Sequence, residues 1–288
     1  TPKPSSAASD VYKRQVYEKN TDYVPRKEAP SWTSGGKVVN VDRVEWVAMA
    51  DPMTTVNALL GGEVDYIETV PFDLVPMVKG APDLTLRVLD KMGYQPMYRF
   101  NQLNAPFDNK LVRQAAMYAV GQDDILKAQV GDPEFYKTCG AVFGCNLPYS
   151  SNTRAHMIVP SNIEKAKALL KEAKYDGAPV VILHATDIAM ASAIPVVMAQ
   201  QLRQAGFNVQ LQAMDFMTML SRRANRDVPA KGGWSIFVTT WHNSEIMDPL
   251  RNYGVSANGE KAWFGWPTVP QVCLLYTSDA ADEGLGVD

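Results

Sequence analysis

Directly after Trp241, the segment His242-Asn243-Ser244-Glu245-Ile246-Met247-Asp248-Pro249 gathers an imidazole, an amide, a hydroxyl and two carboxylates within one short stretch. An aromatic ring followed by short polar side chains suits an apolar pocket with a polar rim, and so the recognition of a small molecule. The groups needed for making and breaking bonds do not assemble around it. The chain has no GxSxG elbow, no HExxH, no P-loop and no GxGxxG. Its three histidines, His156, His184 and His242, have no partner at metal-ligand spacing, and its carboxylates form no tuned acid and base pair. The expectation is a binding protein with no catalytic residues, no metal and no cofactor.

Cys139 and Cys145 bracket the segment CGAVFGC, a ring of five intervening residues with Gly140 and Gly144 inside. A disulfide closing it would be worth about 2 kcal/mol on loop-entropy grounds and would imply an oxidising compartment. The other reading is two reduced, partly buried thiols. The spacing fits neither a zinc knuckle nor a CxxC redox pair. Phe143, between the two cysteines, could present an aromatic ring to a ligand.

The two ends carry a reading of another kind. SSAASDVYKRQ (5–15) back-translates into the adapter that a transposon-based sequencing library adds to its fragments. CLLYTSDAADE (273–283) is encoded by the reverse complement of that adapter, one base out of register. Residues 1–15 and 273–288 are therefore expected to be non-native tails around a protein, 16–272, that is incomplete at both ends. Cys273 leaves the cysteine count with them, and so does most of the formal charge of −3. A nearly neutral core without a basic cluster does not suggest nucleic acid or an anionic membrane surface as partner. No run approaches the roughly eighteen apolar residues that span a membrane.

The elements that must hold these groups alternate between helix and strand, an α/β pattern. Asp51 and Pro52 open a helix to Leu60, which Gly61-Gly62 ends. Strands are expected at 64–67, 84–89 and 94–102, with a helical turn from Pro71 toward Val78 between the first two. Asp108 is the expected N-cap of a helix carrying Leu111, Val112, Ala115, Ala116 and Ala119, and a second helix runs from Gly121 to Gly131. Residues 132–160 read as loop. Ser161 and Glu164 form a capping-box pattern before a helix with Ile163, Ala166, Leu169, Leu170 and Ala173 at helical spacing. A buried strand at 180–184, a helix at 188–205, a strand at 208–214 and a Met-rich helix at 215–223 follow. The last strand, 234–241, delivers the Trp241–Pro249 segment at its carboxyl end, where ligands gather in open α/β sheets.

The run MYRFNQLNAPFDNKLVRQAAMYAV (97–120) carries a resemblance that spans nearly the whole core. ALLGGEVDYIETVPFDLVPMV precedes it, and EKAKALLKEAKYDG and AQQLRQAGFNVQLQAMDFMTMLSR follow. Together they resemble the extracytoplasmic solute-binding proteins of peptide and nickel ABC importers, the bacterial solute-binding protein family 5. The resemblance implies a two-lobed periplasmic-binding-protein fold of the peptide-binding type. Residues 16–99 would form the later part of lobe one and 100–272 most of lobe two, with the 94–102 strand near the hinge. It further implies capture of a peptide or other small organic solute in an interlobe cleft, delivery to a membrane permease, a periplasmic or extracytoplasmic location, and a monomer when complete.

In family members that bind peptides, an acidic residue three positions after the tryptophan pairs with the α-amino group, ahead of an Asp-Pro. Here Ser244 stands at that place, and the Asp-Pro comes one residue late. Glu245 could substitute after a one-residue shift. The candidate ligand-binding set is Trp241, His242, Asn243, Ser244, Glu245, His184 and Phe143. Each has a second reading, as a core tryptophan, a solvated loop group or a structural histidine. Asp248 reads as a turn residue before Pro249. A sensory or chaperone-like binding module on the same fold is the alternative function.

Overall fold

The computed structural model describes residues 14–31, 34–49, 51–153, 155–188 and 191–272. Most of the adapter-like stretches, including Cys273, lie outside the described residues. By compactness the described chain forms two units, one of 14–70 with 74–85, the other of 71–73 with 86–272. The strand from Tyr94 pairs with the sheet of the second unit.

In the first unit, β1 (Arg14–Glu18) and β2 (Arg43–Val47) form an antiparallel ribbon in which every residue is exposed. Arg14 and Gln15, the last two residues of the expected N-terminal tail, pair with Val47 and Trp46. The helix α1 (Pro52–Leu60) starts as its sequence dictates. Asp51 accepts a 2.6 Å hydrogen bond from the Thr54 N–H, Pro52 occupies the first turn, and Gly62 supplies a φ of 72° after the last turn. A 3-10 turn (Phe72–Leu74) leads into α2 (Val75–Lys79). The strands expected at 64–67 and 84–89 do not form. Both segments alternate in the right way, but no neighbouring strand offers them a ladder, and alternation without a partner is not a strand.

The second unit is built on a four-stranded mixed sheet. Its strands are β3 (Tyr94–Phe100), β4 (Val180–Ala185), β5 (Val209–Met214) and β6 (Ile236–His242), in the spatial order β3-β6-β4-β5. β6 pairs antiparallel with β3 along its whole length and parallel with β4. Its helices are α3 (Lys110–Ala119), α4 (Gln122–Gln129), α5 (Ile163–Glu172), α6 (Ala193–Gln204) and α7 (Phe216–Arg222), with a final turn of helix, α8 (Asn243–Ile246). Two caps sit one residue later than expected. Asn109 rather than Asp108 accepts from Leu111, and Asn162 rather than Ser161 accepts from Lys165, so no Ser161–Glu164 box forms. The helix expected from 188 begins only at Ala193.

Both faces of the central strands are buried, which explains the unbroken apolar run of β4. One face sends Val180, Ile182, Ile236 and Val238 against Val112, Ala116, Leu169, Met198 and Leu202 of the helices. The other sends Val181, Leu183 and Phe237 against Met219, Trp234 and Trp266. This second core is mostly aromatic, and a loop from 253 to 266 supplies much of it.

Candidate functional site

β6 runs on past its last pair with β4, so its end is flanked by β3 alone, with Gln95 opposite Trp241 and Tyr94 opposite His242. This is why the Trp241 and His242 side chains are only half-buried although they extend a core strand. Successive residues of a strand face opposite ways, so these two begin different surroundings.

On one side, Trp241 meets Trp263 edge to face, with ring centroids 5.4 Å apart and planes at 88°. It lies 6.2 Å from Tyr253, an exposed ring. The wall is anchored by Arg99. Its Nε donates to the Phe264 carbonyl at 2.8 Å, its Nη1 to the Gly254 carbonyl, and its guanidinium lies 5.6 Å from the Trp263 ring centre. Burial pushes the Arg99 guanidinium down to about 10, which leaves it charged at neutral pH. Arg223 stands over Phe264, Trp263 and Phe237. Arg99 braces the aromatic wall through carbonyls and a ring face, and Arg223 through ring faces.

On the other side, the His242 Nδ1 is 2.9 Å from Oδ2 of Asp90, and the Tyr94 ring covers the imidazole at 4.0 Å. Asp90 also accepts from the N–H groups of Met92 and Gly93. Partial burial works against its charge, but the hydrogen bonds from His242, Gly93 and Met92 prevail and hold the carboxyl below its ordinary value. A carboxyl depressed in the folded state stabilises the fold fully above its ordinary range, and the contribution is lost as pH falls through the depressed value. Asp90→Asn should therefore lower the melting temperature by a constant amount above about pH 5, with the gap to wild type closing below about pH 4. Melting curves from pH 3 to 7 check this. A gap that widens in acid would contradict it.

Asn243 is tied down twice, by its amide Nδ2 to the Met92 carbonyl at 2.6 Å and by its own N–H to the Gly93 carbonyl at 3.0 Å. Ser244 is half-buried within α8. Glu245 is exposed, and its Oε2 accepts the His242 N–H at 3.2 Å, so one oxygen caps α8 and the other remains toward solvent. Asp248 accepts from the Leu250 N–H as a turn residue. His184, near the end of β4, has Nε2 2.9 Å from the Ser192 carbonyl. Phe143 is half-buried and lies 6.3 Å from Tyr149.

The structure joins Cys139 and Cys145, with 5.8 Å between their Cα atoms. Alkylation and intact mass test the pairing. The chain, which carries three cysteines, should take one adduct before reduction and three after it. Three adducts without reductant would mean free thiols.

The structure thus brings Trp241 through Glu245 together with the ring that carries Phe143, while His184 lies against the Ser192 carbonyl. Sequence reasoning missed Asp90, Tyr94, Gln95, Arg99 and Trp263. The Asp90-Lys91-Met92-Gly93 turn was the one local sign, since an aspartate three residues before a glycine commonly accepts from the turn's N–H groups. A shallow depression of about 310 Å³ lined by Gln114, Tyr118, His156, Met157, Lys165 and Leu169 lies against α3 and α5 and shares none of the residues at the end of β6. Among the described residues no cluster of His, Cys, Asp and Glu could hold a metal ion, and no helix is long and apolar enough to cross a membrane.

Residues 8–261 match the middle region of the bacterial extracellular solute-binding proteins, family 5. The probable peptide ABC transporter periplasmic-binding protein y4tO of Sinorhizobium fredii is 41% identical over 255 residues, which cover 88% of this chain and 48% of that protein. The glutathione-binding protein GsiB of Escherichia coli K12 is 27% identical over 230 residues, 78% of this chain and 42% of that protein. The chain spans about half the length of the curated relatives it matches. Among solved structures, the substrate-binding protein CtaP of Listeria monocytogenes aligns with a TM-score of 0.73 at 17% identity, over 93% of this chain and 51% of that one. DppA of Helicobacter pylori, solved with the peptide STSA, gives 0.67 at 19% identity, over 92% and 49%. The fold is that of the peptide-binding type of periplasmic binding proteins, and the chain belongs to the bacterial extracellular solute-binding proteins of family 5.

Proposed function

We propose that this chain is part of the solute receptor of an ABC importer, which captures a peptide or other small organic solute outside the cytoplasm. The receptor hands it to a membrane permease and does no chemistry on it. The observation that carries the reading is the half-exposed Trp241, set in a braced aromatic wall at the carboxyl end of β6 with His242, Asn243 and Glu245 beside it. An apolar wall with a few fixed polar groups is what a small-solute site requires. The names of the relatives, one for peptides and one for glutathione, support a peptide-like solute. Within the set, Trp241 is read as the wall of the site, and Glu245, His242, Asn243 and Ser244 as its rim. Phe143 and His184 take outer positions. The working unit is a monomer, which light scattering checks.

The test is a melting-temperature screen against di- to pentapeptides, glutathione, nickel chelates, opines and sugars. A true solute at a hundred times its Kd should stabilise the protein by about 2.7 kcal/mol through mass action. No shift with any of these compounds would overturn the reading.

A further inference from the structure

We propose that the ring closed by Cys139 and Cys145 positions the end of β6, so that the shape of the solute site depends on the oxidation state of that ring. The proposal rests on the solute-binding reading for its purpose, but its geometry stands apart from any solute.

The ring is held at three points. The Gln122 side chain, at the start of α4, clamps Cys139 in both directions, donating to its carbonyl at 2.6 Å and accepting its N–H at 2.7 Å. The buried Ala141 presents its carbonyl to Nε2 of Gln95 at 3.0 Å, and Gln95 is the cross-strand partner of Trp241. Gly144 then lies directly on Asn243. A Cβ at Gly144 would stand 2.8 Å from Oδ1 of Asn243 and 2.8 Å from Leu147, and its φ of 82° is a conformation that glycine adopts without cost.

From Asn243 the restraint passes onward. Asn243 bonds the carbonyls of Met92 and Gly93, the N–H groups of those residues bond Asp90, and Asp90 holds His242. A ring four contacts away thereby fixes the imidazole.

A second observation indicates that packing by the ring, not a full set of hydrogen bonds, keeps the two amides in place. Ala141 and Met92 offer carbonyls, so both amides must turn their NH2 groups toward them. That leaves Oε1 of Gln95 and Oδ1 of Asn243 buried with no hydrogen-bond partner. An unsatisfied buried acceptor is unfavourable, and the cost is relieved as soon as water reaches it. Opening the ring, whose Gly140 and Gly144 make it pliant, would admit that water. The amides then gain by swinging away from β3 and α8.

Reduction balances as ordinary thiol–disulfide exchange. One thiolate of a dithiol attacks a ring sulfur, breaking the Cys139–Cys145 bond and forming a mixed disulfide. The second thiolate displaces it. Two electrons pass to the ring sulfurs, which take up protons as two thiols, and the dithiol leaves as its own disulfide. The exposed Val142 marks a side of the ring open to such a reagent.

Hydrogen exchange read by mass spectrometry tests the proposal, on the oxidised chain, on the same chain in dithiothreitol, and on Gly144→Ala with its disulfide intact. The expected result is exchange about tenfold faster or more at 90–95 and 240–246 in both altered samples, with β4 and β5 unchanged. Unchanged exchange at 90–95 and 240–246 would overturn it. So would acceleration of β4 and β5 by the same factor, which would make the ring a general staple. A response to Gly144→Ala without a response to reduction would overturn the dependence on oxidation state. Exchange is read without solute, so a ring that positions β6 in a protein that no peptide stabilises separates the failure of the solute reading from the failure of this one.

Discussion

Trp234→Ala is expected to remove about 4 kcal/mol of stability, a large share of the 5–15 kcal/mol that holds a typical domain together. Trp234 is fully buried, its ring stands 5.0 Å from Phe237 at 80° and 6.0 Å from Trp266, and its indole N–H donates to the Arg223 carbonyl. Deleting the ring leaves a cavity between the sheet and the 253–266 loop and strands that carbonyl. Trp234→Phe keeps most of the volume and should cost about half as much, the lost hydrogen bond accounting for about 1 kcal/mol of it. Denaturant unfolding measures both. Stability within 1 kcal/mol of wild type for the alanine variant would mean that the second core contributes little.

Trp241→Ala should act in the opposite sense, with a small effect on the fold and a large one on solute. The ring is half-exposed and its main partner is the edge-to-face contact with Trp263, so the unliganded protein should lose about 1–2 kcal/mol. The melting shift produced by a solute should vanish. Trp241→Phe retains part of the wall and should retain part of the shift. An alanine variant that loses as much stability as Trp234→Ala, with its solute response intact, would make Trp241 a core residue.

The end of β6 was legible in the sequence because a strand rich in aromatic and β-branched residues ran straight into His242 and Asn243. The cap of α1 was legible for a similar reason, since Asp51 acts on an N–H group three residues away; Asp215, read as the first residue of its helix, is instead the cap of α7. What could not be read were the partners of these groups. Asp90 lies 152 residues from His242 in sequence, and Arg99 lies 165 residues from the carbonyl it holds at Phe264. Nothing in the local pattern of either residue specifies such a meeting, which depends on β3 docking beside β6. The false strands at 84–89 and 64–67 fail for the same reason, because periodicity reports a face and not a neighbour. One-residue shifts at Asn109 and Asn162 show that adjacent polar residues compete for a cap, and the geometry of the incoming loop chooses between them.

The alternation of side chains along β6 gives one strand two different responses to its medium. The Trp241 face is braced by cations that bond carbonyls and aromatic rings, so acid and salt have little there to neutralise or screen. The His242 face leans on the carboxylate of Asp90, whose charge can be lost. Acid strong enough to protonate Asp90, below the ordinary carboxylate range, would therefore loosen the His242 face and leave the Trp241 face as it was.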